Sequence, residues 1–254
     1  MPDPFDSAKF KLAWGRKRIG ELEWAIAQLL EVCPCETFSE PDPNTPEYTV
    51  QKIRLVRPLP VEIPMIAGDA VDNLRAALDH AVYAVAVASG RTNIENALFP
   101  FSGTPARLEN QLKGRCADVP VEVWPCLRSF QPYKGGNDKL VALNDACNRN
   151  KRALIVSSAF VATDVYAKMH GTAGFISVPT VHIWDRTKNE MTLFTEGPGA
   201  QRNAQFDFRF LVVLSELPGY DGEQAFRVLD AFADEVERVI AALESEARRL
   251  RFIN

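Results

Sequence analysis

Residues 68–89 read GDAVDNLRAALDHAVYAVAVAS. At about 100° per residue on a helix, Val71, Leu74, Leu78, Val82 and Val85 fall on one side as an apolar stripe. That period predicts a helix, which Gly90 stops. The opposite side carries Asp69, Asn73 and His80 among the small residues Ala76, Ala77 and Ala84. Small side chains let a second helix or a ligand come close, so this face need not be solvent alone. A helix with such a stripe stays folded only when the stripe is covered. Other helices must supply the cover.

Three segments are suited to it. Residues 7–32 set Leu12, Ile19, Leu22, Ile26 and Leu29 on a heptad-like seam, with Ser7 as the expected cap. Gly135-Gly136-Asn137-Asp138 opens a further helix running to about Asn148. Residues 222–250 repeat Leu229, Val236, Leu243 and Leu250 every seven positions, with Phe232, Val239 and Ile240 beside them. A shorter helix is expected near 105–112 in an otherwise irregular stretch from 91 to 137. Residues 153–215 are β-rich: segments 181–184 and 191–194 flank the polar 185–190 as a hairpin would, and Phe206, Phe208, Phe210, Val212 and Leu214 alternate. Residues 48–56 read as another strand, preceded by a loop with Pro34, Pro41, Pro43 and Pro46 and followed by the breakers Pro58, Pro60 and Pro64. The expectation is an α+β fold in one domain over 1–254. Its helical part spans 1–150 and 221–254 as a bundle of about four main helices, with an antiparallel sheet inserted at 153–220 before the C-terminal helix. Strands that cluster instead of alternating with helices exclude a doubly wound parallel sheet. One seam is also suited to a second copy of the chain, giving a homodimer.

Composition narrows the function. The chain has 254 residues, 46% hydrophobic and 24% charged, with net charge −4, so a strongly basic nucleic-acid coat is excluded while a local basic patch is not. No run of about 18 uncharged apolar residues predicts a membrane span. The first residues carry no apolar leader, and the five cysteines are an odd number, so free thiols in the cytoplasm are expected. Cys33-Pro34-Cys35 has no second Cys/His pair at zinc spacing, and no metal or other cofactor is expected. The Gly135-Gly136 turn lacks the spacing of a dinucleotide or phosphate-loop fingerprint. No Gly-x-Ser-x-Gly elbow and no His-Glu-x-x-His motif is present.

Chemistry therefore narrows to the helix at 68–89. Of three histidines, His170 and His182 sit in an expected turn and strand, whereas His80 shares a polar line with Asn73 and Asp69. Arg75 lies at ion-pair spacing from Asp79. Arg75-x-x-x-x-His80 on a helix of a small bundle resembles the active-site motif of the HEPN superfamily, many of whose members are metal-independent ribonucleases of toxin and antiviral systems. The likeness covers the helix and, loosely, the four-helix arrangement; the β-rich quarter lies outside it. More widely, Gly68-Asp69, Asn73-Leu74-Arg75, Leu78-Asp79-His80, Phe99-Pro100 and Gln131-Pro132-Tyr133 resemble an uncharacterised bacterial family with no known activity.

The HEPN resemblance implies an endoribonuclease acting on RNA, with its site formed between two copies. Arg75 would bind the scissile phosphate and His80 would move a proton for attack by the ribose 2′-hydroxyl. A guanidinium fork suits phosphate oxygens and imidazole titrates near neutrality. Asn73 and Asp79 on the same helix, with Asn148, Lys151 and Arg152 at the end of the third, are the expected substrate contacts. Further basic groups stand at Lys9, Lys11, Arg16, Lys17 and Arg18 and at Arg248, Arg249 and Arg251. The competing expectation is a non-catalytic binding or assembly protein. There, Arg75 pairs with Asp79 or Asp72, and His80 bonds Asn73 or another helix. Two features favour it: Ala76 follows the motif Arg where a polar residue is common, and about 140° separates Arg75 from His80 around a helix.

Overall fold

The computed structural model describes residues 3–32, 35–57, 59–151, 158–169, 176–177, 185, 187–200, 204–214, 217–220 and 222–254. Four long helices form the body: α1 (Asp6–Val32), α2 (Glu62–Ala88), α5 (Asp138–Asn150) and α6 (Ala225–Arg249). Two shorter ones, α3 (Pro105–Arg115) and α4 (Trp124–Ser129), fold within the connection from α2 to α5. The fold is α+β. Helix α2 is central, packing on α1, α5 and α6. Its buried residues include Val71, Leu74, Leu78, Val82 and Val85, and also Ala70, Ala77, Ala81, Ala84 and Ala86. The alanines that flank the stripe are thus places where neighbouring helices press close.

Helix α1 packs on α2 through Leu12, Ile19, Leu22 and Ile26, all buried. Gly15 fixes the approach: a Cβ there would stand 2.8 Å from Leu74 Cδ2. Helix α6 adds Leu229, Phe232, Val236, Val239, Ile240 and Leu243 to the same core. Helix α5 begins at a capped end, where the Asn137 side chain accepts from the Leu140 N–H at 3.2 Å, as its glycine-turn sequence suggests.

Two local expectations need correction. The proline-marked loop after α1 contains strand β1 (Cys35–Pro41), paired antiparallel with β2 (Thr49–Leu55). Proline tolerates an edge strand, since its missing N–H is not needed there. Pro64 does not precede α2 but sits in its first turn, where the helix requires no N–H from it. The antiparallel sheet expected before α6 also takes in the strand expected at 48–56. It runs β1-β2-β5-β4, with β4 (Ile176–Ser177) and β5 (Glu190–Glu196) joining the N-terminal pair. Ile53, Met191, Leu193 and Phe194 carry it into the helical core.

A separate antiparallel ribbon joins β3 (Ser158–Met169) to β6 (Ala204–Leu214), the strand whose alternation is plainest in sequence. Asp185 and Glu190 exchange backbone hydrogen bonds, so the chain reverses at 185–190 as expected. Segment 181–184 lies outside the described residues, as do His170, His182 and Arg152.

Candidate functional site

The two motif residues leave α2 toward different neighbours. Arg75 points to α5 and to the segment that precedes α3: its Nη1 lies 2.7 Å from Asp79 Oδ2, its Nε donates to Asn144 Oδ1 at 3.2 Å, and its guanidinium stacks 4.5 Å from the Phe101 ring centre. Only 8% of Arg75 is exposed. Asp79 also accepts from the backbone N–H of Phe99 at 2.8 Å, so one carboxylate holds both the guanidinium and the 99–101 segment. A shallow cleft of about 320 Å³ lies beyond, lined by Phe101, Ser102, Lys134 and Asn144 among others.

His80 points to α1. Its Nδ1 lies 2.6 Å from Ser7 Oγ, and the ring is half-buried. Among the described residues its Nε2 has no hydrogen-bond partner. Ser7 is not the cap of α1, which starts one residue earlier; its hydroxyl crosses to α2 instead. Asn73, 7% exposed, donates from Nδ2 to the Asp69 carbonyl and to Asp69 Oδ1, both at 2.8 Å, and accepts from Lys11 Nζ at 3.1 Å. A second cleft of about 320 Å³ opens here, lined by Ser7, Phe10, Lys11, Trp14 and Asn73.

The end of α5 lies beside α2, one turn from Arg75. Asp72 accepts from the Cys147 thiol at 3.2 Å and from Asn150 Nδ2 at 2.7 Å. Gly68 makes room for Asn150, whose Oδ1 would lie 2.6 Å from a Cβ at that position. Burial, first, and the Asp72 carboxylate beside it push the Cys147 thiol up to about 11. Asn148 and Lys151 are exposed on the far side of this contact. The structure thus brings Arg75 and Asp79 together, and separately Asn73 and Asp69; Arg75 and His80 do not share a cleft.

Sequence reading gave Ser7 a capping role only and gave Phe10, Trp14, Asn144 and Phe101 no part in a site. Asn144 and Phe101 gave no local signal, since their roles depend on how α5 and the 99–101 segment pack. Phe10 and Trp14 did: two aromatics one turn apart on an amphipathic helix, outside its apolar seam, mark a surface patch. Phe10 is 70% exposed and Trp14 42%.

Most of the basic groups on α1 are neutralised. Lys9 pairs with Asp3 and Glu244, Arg16 with Asp234 and Glu237, Lys17 with Glu21, and Arg18 with Glu21 and Asp69. At the other end of the chain Arg248 pairs with Glu244 and Arg249 with Glu246. No cluster of three or more His, Cys, Asp or Glu side chains suited to a metal ion occurs among the described residues. No helix among them is long and apolar enough to cross a membrane.

Comparison with protein-family models, with curated proteins and with solved structures gives no match in any of the three.

Proposed function

We propose that the chain is a non-catalytic binding protein in which Arg75 and His80 tie helices together. The observation that carries this reading is the divergence of the two side chains. Arg75 ends on α5 and the 99–101 segment, and His80 ends on α1. A phosphate bound by Arg75, a residue 8% exposed and already ion-paired, would first have to displace Asp79. Neutralised cations on α1 point the same way, because a polyanion needs a row of unpaired charges to track. Fluorescent single-stranded RNA incubated with the full chain and excess chelator stays intact on this reading, while Arg75→Ala and His80→Ala each melt below the wild type. Cleavage that disappears in His80→Ala would overturn it.

A second reading, the metal-independent endoribonuclease of HEPN type, has one specific observation in its favour. His80 has an Nε2 unpartnered among the described residues, and its Nδ1 is bonded to Ser7, which lines a cleft together with Lys11. In that reading His80 is the proton acceptor, a second copy of the chain completes the site, and Arg75 acts only after its ion pair opens. Lys151 and Asn148 then serve as outlying RNA contacts. The same RNA assay decides between the two.

A further inference from the structure

We propose that the cleft between α1 and α2 binds a small molecule in which a planar aromatic ring carries an anionic group, a carboxylate or a phosphate monoester. This rests on the binding reading above and names the ligand. The first argument is charge. Of the five cations on α1 between residues 9 and 18, four are paired with carboxylates. Among the described residues Lys11 is paired with none; its bond goes to the neutral Asn73 Oδ1 at 3.1 Å. An ammonium has three N–H donors, so donors remain for a ligand. Among the described residues no carboxylate lines the cleft. Asp69, one turn before Asn73 on α2, is engaged by Arg18 at 2.6 Å and by Asn73 at 2.8 Å.

The second argument is placement. Asn73 spends its amide N–H groups on Asp69, which turns its carbonyl oxygen toward Lys11 and holds the ammonium at the cleft wall. Ser7, one turn before Lys11 on α1, is likewise fixed by His80 and lines the same cleft. A charge held in place before binding loses little freedom when the ligand arrives.

The third argument is the apolar part. Phe10 and Trp14 stand one turn apart on the same side of α1 and both line the cleft. The cations of Lys17 and Arg18 each stand 4.7 Å from the Trp14 ring centre, so that ring is braced. Phe10 is 70% exposed, and a ring laid against it recovers apolar burial at roughly 25 cal/mol per Å². At about 320 Å³ the cleft is at the small end of ligand sites. One unpaired ammonium beside two rings fits one anionic group on one ring system.

The test uses the full chain with five probes, titrated by calorimetry. Adenosine monophosphate and indole-3-acetate each join a ring to an anion; adenosine and inorganic phosphate are the separate halves. Saturable binding of at least one ring-bearing anion is expected, about ten-fold or more tighter than of the halves. A fifth probe, indoxyl phosphate, carries a phosphate monoester on the same ring as indole-3-acetate, and the ratio of these two tells whether the anion is a phosphate or a carboxylate. Lys11→Met and Phe10→Ala are each expected to weaken it by about ten-fold. Phe10 is mostly exposed, so Phe10→Ala keeps the fold and carries the test even if Lys11→Met does not. No saturable binding of any ring-bearing anion would overturn the proposal, as would unchanged binding in Phe10→Ala. So would a single-stranded oligoribonucleotide that binds tighter than the monophosphate, with a salt dependence reporting several phosphates. Failure here leaves the helix-tie reading standing, because that is read from melting temperatures and from intact RNA.

Discussion

Arg75→Ala is the perturbation that most directly tests the tie between α2 and α5. The substitution removes an ion pair to Asp79 at 2.7 Å, a hydrogen bond to Asn144 at 3.2 Å and a stacked contact on Phe101 at 4.5 Å. Breaking a buried pair costs about 3–5 kcal/mol, chiefly because the remaining charge is orphaned. Here the Asp79 side chain is 25% exposed and keeps its Phe99 N–H, which lowers that part to about 2 kcal/mol. The Asn144 bond adds about 1 kcal/mol and the ring contact about 1 kcal/mol. The sum is about 4 kcal/mol, which at this chain length lowers the melting temperature by roughly 8–15 °C. Thermal melts followed by circular dichroism measure it. A double-mutant cycle with Asp79→Asn isolates the pair, with an expected coupling of about 2 kcal/mol. A melting temperature unchanged within about 2 °C, or a coupling near zero, would refute the structural role of Arg75.

Three other outcomes follow from local geometry and titration. Gly15→Ala and Gly20→Ala make the same change in one helix with opposite results. A Cβ on Gly20 meets nothing within 4 Å and should stabilise by about 1 kcal/mol, whereas one on Gly15 meets Leu74 at 2.8 Å and should destabilise; urea melts of the pair decide it. Burial pushes Cys116 up to about 12 and Cys147 up to about 11, so iodoacetamide at neutral pH should modify neither until the chain unfolds, which mass spectrometry reads directly. Glu235 is the acid-sensitive group at the α5–α6 contact: burial acts to raise its pKa, but hydrogen bonds from Arg238 and Asn137 outweigh it and hold the pKa below the ordinary 4.5. A carboxylate depressed in the folded state gives stability that is complete above its unfolded value and lost as pH falls through its folded one. Glu235→Gln should therefore flatten the loss of stability below about pH 4.5, and an unchanged acid limb would count against the assignment.

What was legible in the sequence was whatever rests on local periodicity. The stripe of α2, the seam of α1 and the heptads of α6 name buried residues, except that Leu29 and Leu250 at the ends of their runs are only partly buried, because a helix face is set by residue spacing. The capped start of α5 was legible for the same reason. Strand β1 was not. Its residues Cys35–Pro41 lack alternation and hold a proline, and they form a strand because β2 supplies a hydrogen-bonding edge from across a turn. Strand β2 was legible but its partner was not, since β2 finds β5 more than a hundred residues later in the chain.

The candidate site divides along the same line. Five positions on a helix turn through about 500°, which leaves Arg75 and His80 about 140° apart. That angle was computable from the spacing and already placed the two groups on different sides of α2. What the spacing leaves open is which neighbour each side meets. An Arg aimed at a solvent-filled cleft and an Arg aimed at Asn144 and Phe101 have the same sequence around them. The difference comes from α5 and the 99–101 segment, and from Asp79, which binds both Arg75 and the Phe99 N–H. Asp79 is thus the residue on which the two readings turn. Held by a backbone N–H and a guanidinium at once, it stabilises Arg75 where it stands, and a guanidinium that reached for phosphate would leave this carboxylate half-buried with one bond fewer. An endoribonuclease built on this helix would have to recover that cost with every substrate bound, whereas a helix tie has no such cost to recover.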